Sequence, residues 1–400
     1  MKRRTFFRAS TALAAMTLAG AAFAADPIVV GAVAPKTGPL AGGAAVTHWP
    51  NIQLWVSEVN ARGGLNVGGE QRMLEVIEYD DQTNPAETIK AVTRLAQQDN
   101  ADIILSPYST GLSLAAAPIF DRLGIPQITS SAATDQIDEL AGQFPNLFFL
   151  LGRSAEIAGG AVEAMAKMRD AGEIGNRVAL VNVADAFGIE LVSAGKPALE
   201  AAGFEIVYET SYPLGTQDLS PIMKAAKDAE PDAFVAFSYP GDTFGLTEQA
   251  MIEGLDVGVF YTGVGTAFPS FAGRFGAAAE GIMGIGGVNA SSETFLDYAA
   301  RLEAETGSQP DYWASGQMYA SLQILEAAIE ATGTLDMAEV TQYIKDNSFE
   351  TVMGTITFDD QNSSTGYWTA GQWQDGVFKG VASFGGLDGV VEPFVKAGWE

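Results

Sequence analysis

What most constrains this chain is a repeated alternation of short apolar strands with amphipathic helices. Residues 28–33 (IVVGAV) read as a strand buried on both faces. Residues 35–43 form a Gly/Pro-rich loop, and a helix then runs to Asn60, stopped by Gly63 and Gly64. Further strands are expected at 74–79, 103–105 and 125–128. Helices follow the first two of these, one opened by Asn84-Pro85 and one over 112–123. After Arg153 the pattern restarts. Strands are expected at 178–183, 204–208, 232–237 and 259–262, with helices at 189–202, 220–227 and 243–253. Strands that alternate with helices on this spacing form parallel sheets covered by helices. Uninterrupted apolar strands fit burial on both faces. Two such runs predict an α/β protein of two Rossmann-like lobes. The rest is less regular: helices at 294–305 and 312–331, then short aromatic strands with a tight turn at Asp375-Gly376.

The chain has 400 residues, room for about two domains. The first 24 do not belong to the fold. Lys2, Arg3, Arg4 and Arg8 make a basic head, an apolar stretch spans residues 9–23, and Ala22-Phe23-Ala24 is a small-x-small cleavage pattern. This is a secretory signal, too short for a membrane span. Arg3-Arg4-Thr5-Phe6-Phe7 looks like a twin-arginine signal; an ordinary secretion signal holding two Arg is the plainer alternative. No Cys follows the cleavage site, so a soluble exported protein without a lipid anchor is expected. Loss of residues 1–24 removes four cations and no acid, which deepens the net charge from −27 to −31. Such a chain is a poor partner for nucleic acid or an anionic membrane, and its charge favours solubility.

Chemistry is restricted as well. There is no Cys and a single His, His48. Thiolate and His-rich metal sites are excluded, and no cofactor motif is complete. A hydrolase would have to be built on His48 and the Ser-rich loops. Asp80-Asp81 is a carboxylate pair, but neighbours on an extended chain point opposite ways, so loop bonding and capping suit them better. In open parallel sheets ligands bind beyond the C-terminal strand ends. Those loops are residues 35–47, 106–111 and 129–134 in the first lobe. In the second they are 184–188, 238–242 and 263–268. The first-lobe loops are rich in hydroxyls and helix-start amides, which suit a carboxylate or other small anion. The second-lobe loops carry Phe187, Tyr239 and Phe268, which can close over a ligand.

The joint order of several stretches carries a resemblance. They are residues 28–38 (IVVGAVAPKTG), 58–64 (EVNARGG), 79–85 (YDDQTNP), 124–134 (GIPQITSSAAT), 185–188 (DAFG) and 351–359 (TVMGTITFD). Over essentially its whole mature length the chain resembles the extracytoplasmic solute-binding proteins of ABC transporters in the branched-chain amino acid/amide family. The resemblance implies a type I periplasmic-binding fold with a three-segment hinge. Lobe 1 is expected over 25–150 plus 281–355 and lobe 2 over 151–280 plus 356–400, with crossings near Leu150, Gly281 and Thr355. It implies a non-enzymatic periplasmic protein without cofactor or metal. Its partners would be a small-molecule ligand and an inner-membrane ABC permease, with a monomer as the default. A partner of a membrane sensor is the alternative, though no transmembrane segment follows.

The resemblance also distributes the ligand contacts. Tyr108, Ser109 and Thr110 lie in the loop where a hydroxyl and an amide hold the ligand carboxylate. Ser131, Ala133 and Thr134 share the remaining first-lobe anchors. Phe187 stands where amino-acid binders typically have Tyr, and Tyr239 lies in the second aromatic loop. Residues 263–266 depart from the pattern. Amino-acid binders place a Glu there for the ligand ammonium, and this chain has Gly265 and Thr266. Gly43 and Ala44 stand where a bulky aromatic lid is common. Asp242 could replace the missing Glu, from a different loop. A buried ammonium without an anion is costly, so the expectation is a carboxylate or amide ligand with no required ammonium. The alternative is a branched-chain or other amino-acid binder.

Overall fold

The computed structural model describes residues 26–286, 288, 290–364 and 366–399. The expected signal, residues 1–24, lies outside the described residues. The chain opens with β1 (Ile28–Ala34), α1 (Ala41–Thr47), α2 (Trp49–Ala61), the hairpin β2 (Leu65–Val67) and β3 (Glu70–Arg72), β4 (Leu74–Asp80) and α3 (Pro85–Gln97). It continues with β5 (Ile103–Ile104), α4 (Thr110–Leu123), β6 (Gln127–Thr129), α5 (Ile137–Gln143) and β7 (Leu147–Phe149). Then come α6 (Ser154–Asp170), β8 (Arg177–Val183), α7 (Ala186–Ala201), β9 (Glu205–Tyr212), α8 (Ser220–Asp228) and β10 (Ala233–Phe237). α9 (Pro240–Glu253), β11 (Val259–Thr262), α10 (Pro269–Phe275) and β12 (Met283–Ile285) complete this run. α11 (Glu293–Thr306), α12 (Ser315–Thr332), α13 (Met337–Asp346), β13 (Ser348–Thr351) and β14 (Gly354–Thr357) follow, and β15 (Tyr367–Gln374) and β16 (Val377–Phe384) end the order.

The strands sort into two lobes. In the first, β4-β1-β5 form a parallel sheet beside the parallel pair β6-β7. In the second, seven strands run β16-β15-β12-β11-β10-β8-β9. The five from β9 to β12 are parallel, and β15 and β16 add antiparallel. This is the α/β architecture read from the alternation. β10 is buried along its whole length. Its Phe234 stacks on Phe260 of β11 with ring centroids 5.1 Å apart. Burying each ring contributes about 1.5–3 kcal/mol. On the first lobe, α2, α11 and α12 pack one sheet face through Trp55, Tyr298 and Leu322, while α3 and α4 pack the other through Val92, Leu95 and Phe120.

The second and third crossings come later than the sequence implied. β12 pairs with β11 inside the seven-stranded sheet, so the chain leaves lobe 2 after Ile285 rather than near Gly281. Ser363 bridges to Phe149, which holds residues beyond Thr355 against lobe 1. The helix expected to run unbroken to Asn60 is two helices, with the break at His48. Pro50 favours the restart: it lacks an N–H and is best accommodated in a first turn, where it stands in α2. α3 begins as expected, with Asn84 accepting a hydrogen bond from Ala86 N at 2.9 Å. The Asp80-Asp81 pair diverges as its extended backbone requires. Asp80 holds Lys36 N (2.9 Å) and Thr37 Oγ1 (2.7 Å) on one side. Asp81 accepts from Thr83 N (3.0 Å) and Thr88 Oγ1 (3.1 Å) on the other.

Candidate ligand-binding cleft

The two sheets point their C-terminal strand ends at each other. On lobe 1 the loops after β5 and β6 are stitched together by their hydroxyls. Ser109 N donates to Ser131 Oγ at 2.9 Å. Thr110 Oγ1 accepts from Ala133 N at 3.1 Å. Ser109 has φ 77° and ψ 159°, a region populated almost only by glycine. Strain of this kind costs on the order of 1–3 kcal/mol and concentrates at functional sites. Its result is to start α4 at Thr110. The first-turn amides of Thr110 and Gly111 have no intrahelical acceptor and form the positive end of that helix. A Cβ added to Gly111 would stand 3.8 Å from Ala186 Cβ of α7, so α4 begins against the opposite lobe.

The lobe 2 wall is aromatic and acidic. Phe187 stacks on Tyr239 at 5.0 Å, and Trp313, from the segment before α12, lies 6.5 Å from Phe187. Asp185 caps α7 by accepting from Gly188 N at 3.0 Å. Asp242 caps α9 by accepting from Tyr239 N at 3.4 Å and faces the phenol of Tyr212. Burial pushes the Asp185 carboxyl above its ordinary range. None of the ion pairs among the described residues includes Asp185 or Asp242. At the rim, Glu190 of α7 accepts from Thr134 Oγ1 (3.1 Å) and Asp135 N (3.2 Å) and closes lobe 2 onto lobe 1.

The residues expected from sequence therefore converge, but they do different things. Tyr108, Ser109, Thr110, Phe187 and Tyr239 are buried where the lobes meet. Ala44 lies in α1 and packs into the same cluster. Ser131 and Ala133 position the Ser109-Thr110 loop, and Thr134 turns to the rim. Thr266 turns back onto its own lobe: its Oγ1 bonds Thr262 Oγ1 (2.6 Å) and Thr262 O (3.1 Å). Asp185, Glu190, Tyr212 and Trp313 were not among the expected site residues. The first two follow from reading α7 from its cap onward. Tyr212 required the longer β9, and Trp313 required the break before α12. A separate open groove of about 680 Å³ between α2 and β4, lined by Trp49, Ile52 and Val56, contains none of these residues.

Asp242 makes a pH prediction. Burial, with the Asp185 charge adding, pushes its carboxyl up to about 6, against the pull of Tyr239 N and Tyr212. In the unfolded chain it titrates near about 3.9. The native state then binds more protons between those values, so stability falls as pH rises from about 4 to 6. Above pH 7 the penalty is complete, on the order of 1–3 kcal/mol. Asp242→Asn is expected to raise the urea midpoint at pH 8 and leave it unchanged at pH 4. An equal drop at both pH values would mean that the lost cap outweighs the relieved burial.

Known proteins share this fold. Residues 27–376 match the family model described as "Periplasmic binding protein". An amino acid binding protein of Pseudomonas aeruginosa is 23% identical over 384 residues, covering 94% of this chain and 98% of its own length. The Leu/Ile/Val-binding protein of Escherichia coli K12 is 24% identical over 347 residues, 86% of this chain and 89% of that one. A solute-binding protein of an ABC transporter from R. palustris, solved in complex with benzoate, has a TM-score of 0.76 at 20% identity, covering 91% of this chain and 99% of that chain. Among the described residues no helix is long and apolar enough to cross a membrane. With a matched family model over most of its length and two α/β lobes closed on a shared cleft, the chain belongs to the periplasmic binding protein family, whose members bind solutes and are not enzymes.

Proposed function

We propose that the chain is the periplasmic solute-binding component of an ABC importer. Its ligand is a small carboxylate or amide without an ammonium group, with an aromatic or branched aliphatic body. The observation that carries this reading is the use made of the cleft acids. Asp185 and Asp242 are both engaged at helix N-termini. The 263–266 loop offers only Thr266, whose hydroxyl bonds its own strand. A buried ammonium would have to draw on carboxylates that already cap α7 and α9, so its desolvation would be only partly compensated. The opposite wall presents the N-terminus of α4, which suits a carboxylate. The Phe187–Tyr239 stack adds a flat apolar face. The benzoate complex of the R. palustris protein supports the same ligand chemistry. Ligand closes the lobes by hinge motion, and the closed form is handed to an inner-membrane permease. The mature protein acts as a monomer, since its −31 charge opposes self-association, and the basic head routes it through the twin-arginine pathway.

The test is a thermal-shift comparison of matched pairs on mature protein. At about 100 times Kd a ligand adds roughly 2.7 kcal/mol, a shift of a few degrees in a protein of this size. Benzoate and 4-methylpentanoate are expected to raise Tm, and leucine is not. A shift with leucine and none with 4-methylpentanoate would overturn the reading.

A further inference from the structure

Glu190 of α7 reaches across the rim and takes three donors from one short stretch of lobe 1. They are Thr134 Oγ1 at 3.1 Å, Asp135 N at 3.2 Å and the side-chain amide of Gln136. Thr134 Oγ1 also accepts from Gln136 N at 3.1 Å. Its one proton goes to Glu190 and its side chain is buried, so this hydroxyl is spent on the rim and does not serve as a ligand anchor. The stretch is wired to the floor of the cleft. Ala133, one residue earlier, donates its N–H to Thr110 Oγ1, and Ser131 Oγ accepts from Ser109 N. On the other side, Glu190 stands one turn after Phe187, whose ring belongs to the aromatic wall. Both ends of the contact are thus tied to the two faces that enclose a solute. Neighbouring contacts differ in kind. Asp135 Oδ1 accepts from Ala155 N at 2.9 Å, and Arg153 pairs with Asp138 at 2.6 Å. Arg153 and Ala155 directly follow the first crossing, where the chain itself joins the lobes. Glu190 lies beyond α6 and β8, and its bonds must break when the lobes part.

We propose that Glu190 and Thr134 form a latch that closes the lobes even without a solute, and that Glu190 thereby sets affinity without touching the ligand. A carboxylate that accepts several hydrogen bonds makes stronger ones than a neutral acceptor does. The apparent affinity for a solute that needs the closed form is reduced in proportion to the fraction of molecules already closed. Every fold lost from that fraction is therefore lost from affinity. The effect is indifferent to the chemistry of the solute, so it stands apart from the carboxylate reading given above. The contact lies at the exposed edge of the rim, where added salt screens it.

The chain has no Cys, so an introduced pair can carry spin labels in the mature protein. Lys90→Cys on α3 and Lys224→Cys on α8 put one on each lobe, at exposed positions. The distance distribution is measured without solute in this parent pair and after adding Glu190→Ala, Glu190→Gln or Thr134→Val. Each variant is first checked for an unfolding transition like that of the parent. The parent is expected to show at least about a tenth of its molecules at the separation of the closed structure. Glu190→Ala should cut the closed-to-open ratio about fivefold, and Glu190→Gln by less, since Gln keeps one acceptor. Thr134→Val should cut it too, and adding it to Glu190→Ala should cut it little further, because the two residues share one contact. Raising salt from about 50 to about 500 mM should open the parent and leave Glu190→Ala unchanged. Calorimetry with benzoate and with leucine gives the affinity; for whichever binds, Kd should rise about fivefold in Glu190→Ala. The inference is overturned if the parent has no closed population without solute, if Glu190→Ala keeps the parent's distances, or if Kd does not move. Binding of leucine alone would sink the carboxylate reading and leave the latch to be judged on the distances and that Kd. If neither solute binds, the distances decide alone.

Discussion

Replacing Asp311 with alanine is expected to cost the fold about 3–5 kcal/mol, the largest loss from any single polar side chain named above. Asp311 is fully buried, and its Oδ1 accepts from the backbone of Trp313 (2.7 Å), Ala314 (2.6 Å) and Ser315 (3.2 Å). Its Oδ2 accepts from Ser315 Oγ at 2.7 Å. These are the donors at the start of α12, the helix that carries Met318, Leu322, Leu325 and Ile329 into the lobe 1 core. Alanine leaves several buried N–H groups without acceptors, each costing about 1–3 kcal/mol, and removes the anion from a helix N-terminus. Against that stands the cost of burying the carboxylate, which pushes its pKa up. Asn separates the two effects, since it keeps one acceptor and drops the charge. Urea unfolding should therefore rank parent, Asp311→Asn and Asp311→Ala in falling order. A loss below about 1 kcal/mol in the alanine variant would show that α12 is started by its packing and not by this cap.

Asp311 also marks the limit of what the sequence discloses. Strands β8, β10 and β11 are plain in it because each is short, largely apolar and followed by a helix. The Asp375-Gly376 turn is plain because both residues must take positive φ, 57° and 74°. α6 leaves almost no trace. Its buried face mixes Ile157, Met165 and Met168 with the small residues Ala158, Gly160, Ala161 and Ala164, which let β15 approach and dilute the apolar signal. β9 reads short because Glu209, Thr210 and Ser211 follow its apolar part; as the edge strand of the sheet it tolerates them, and its continuation delivers Tyr212 to the cleft. The cleft loops are found because the α/β pattern fixes where strands end. What a side chain does there depends on partners far away in sequence. Nothing in the residues around Thr266 reveals that its hydroxyl is taken by Thr262, and nothing near Asp242 reveals that Tyr212 lies opposite.

Gly286→Ala is expected to lower both stability and affinity, and the two losses have one cause. Gly286 lies where the chain leaves β12 for lobe 1, with φ 80°. A non-glycine residue in that region costs about 1–2 kcal/mol before any contact is counted. A Cβ there would also fall 2.3 Å from Trp313 Cδ1 and 2.7 Å from its Cβ and Cγ. Trp313 cannot simply yield. Its N–H is held by Asp311 (2.7 Å), and Tyr312 before it is bonded both to Ala267 O (2.9 Å) and from Val288 N (3.0 Å). The ring must turn or the crossing must shift, at a combined cost of about 3 kcal/mol or more. Trp313 lies 6.5 Å from Phe187, so either movement disturbs the aromatic wall of the cleft. With benzoate as probe, affinity should fall about 10–100-fold through a smaller closed population, alongside a lower urea midpoint. Gly159→Ala, on α6 with open space around its Cβ, is the matched control. It should raise stability by about 0.5–1 kcal/mol and leave affinity alone. If Gly286→Ala loses stability but keeps affinity, the tryptophan serves the hinge alone, and ligand closure is set by the facing loops of α4 and α7.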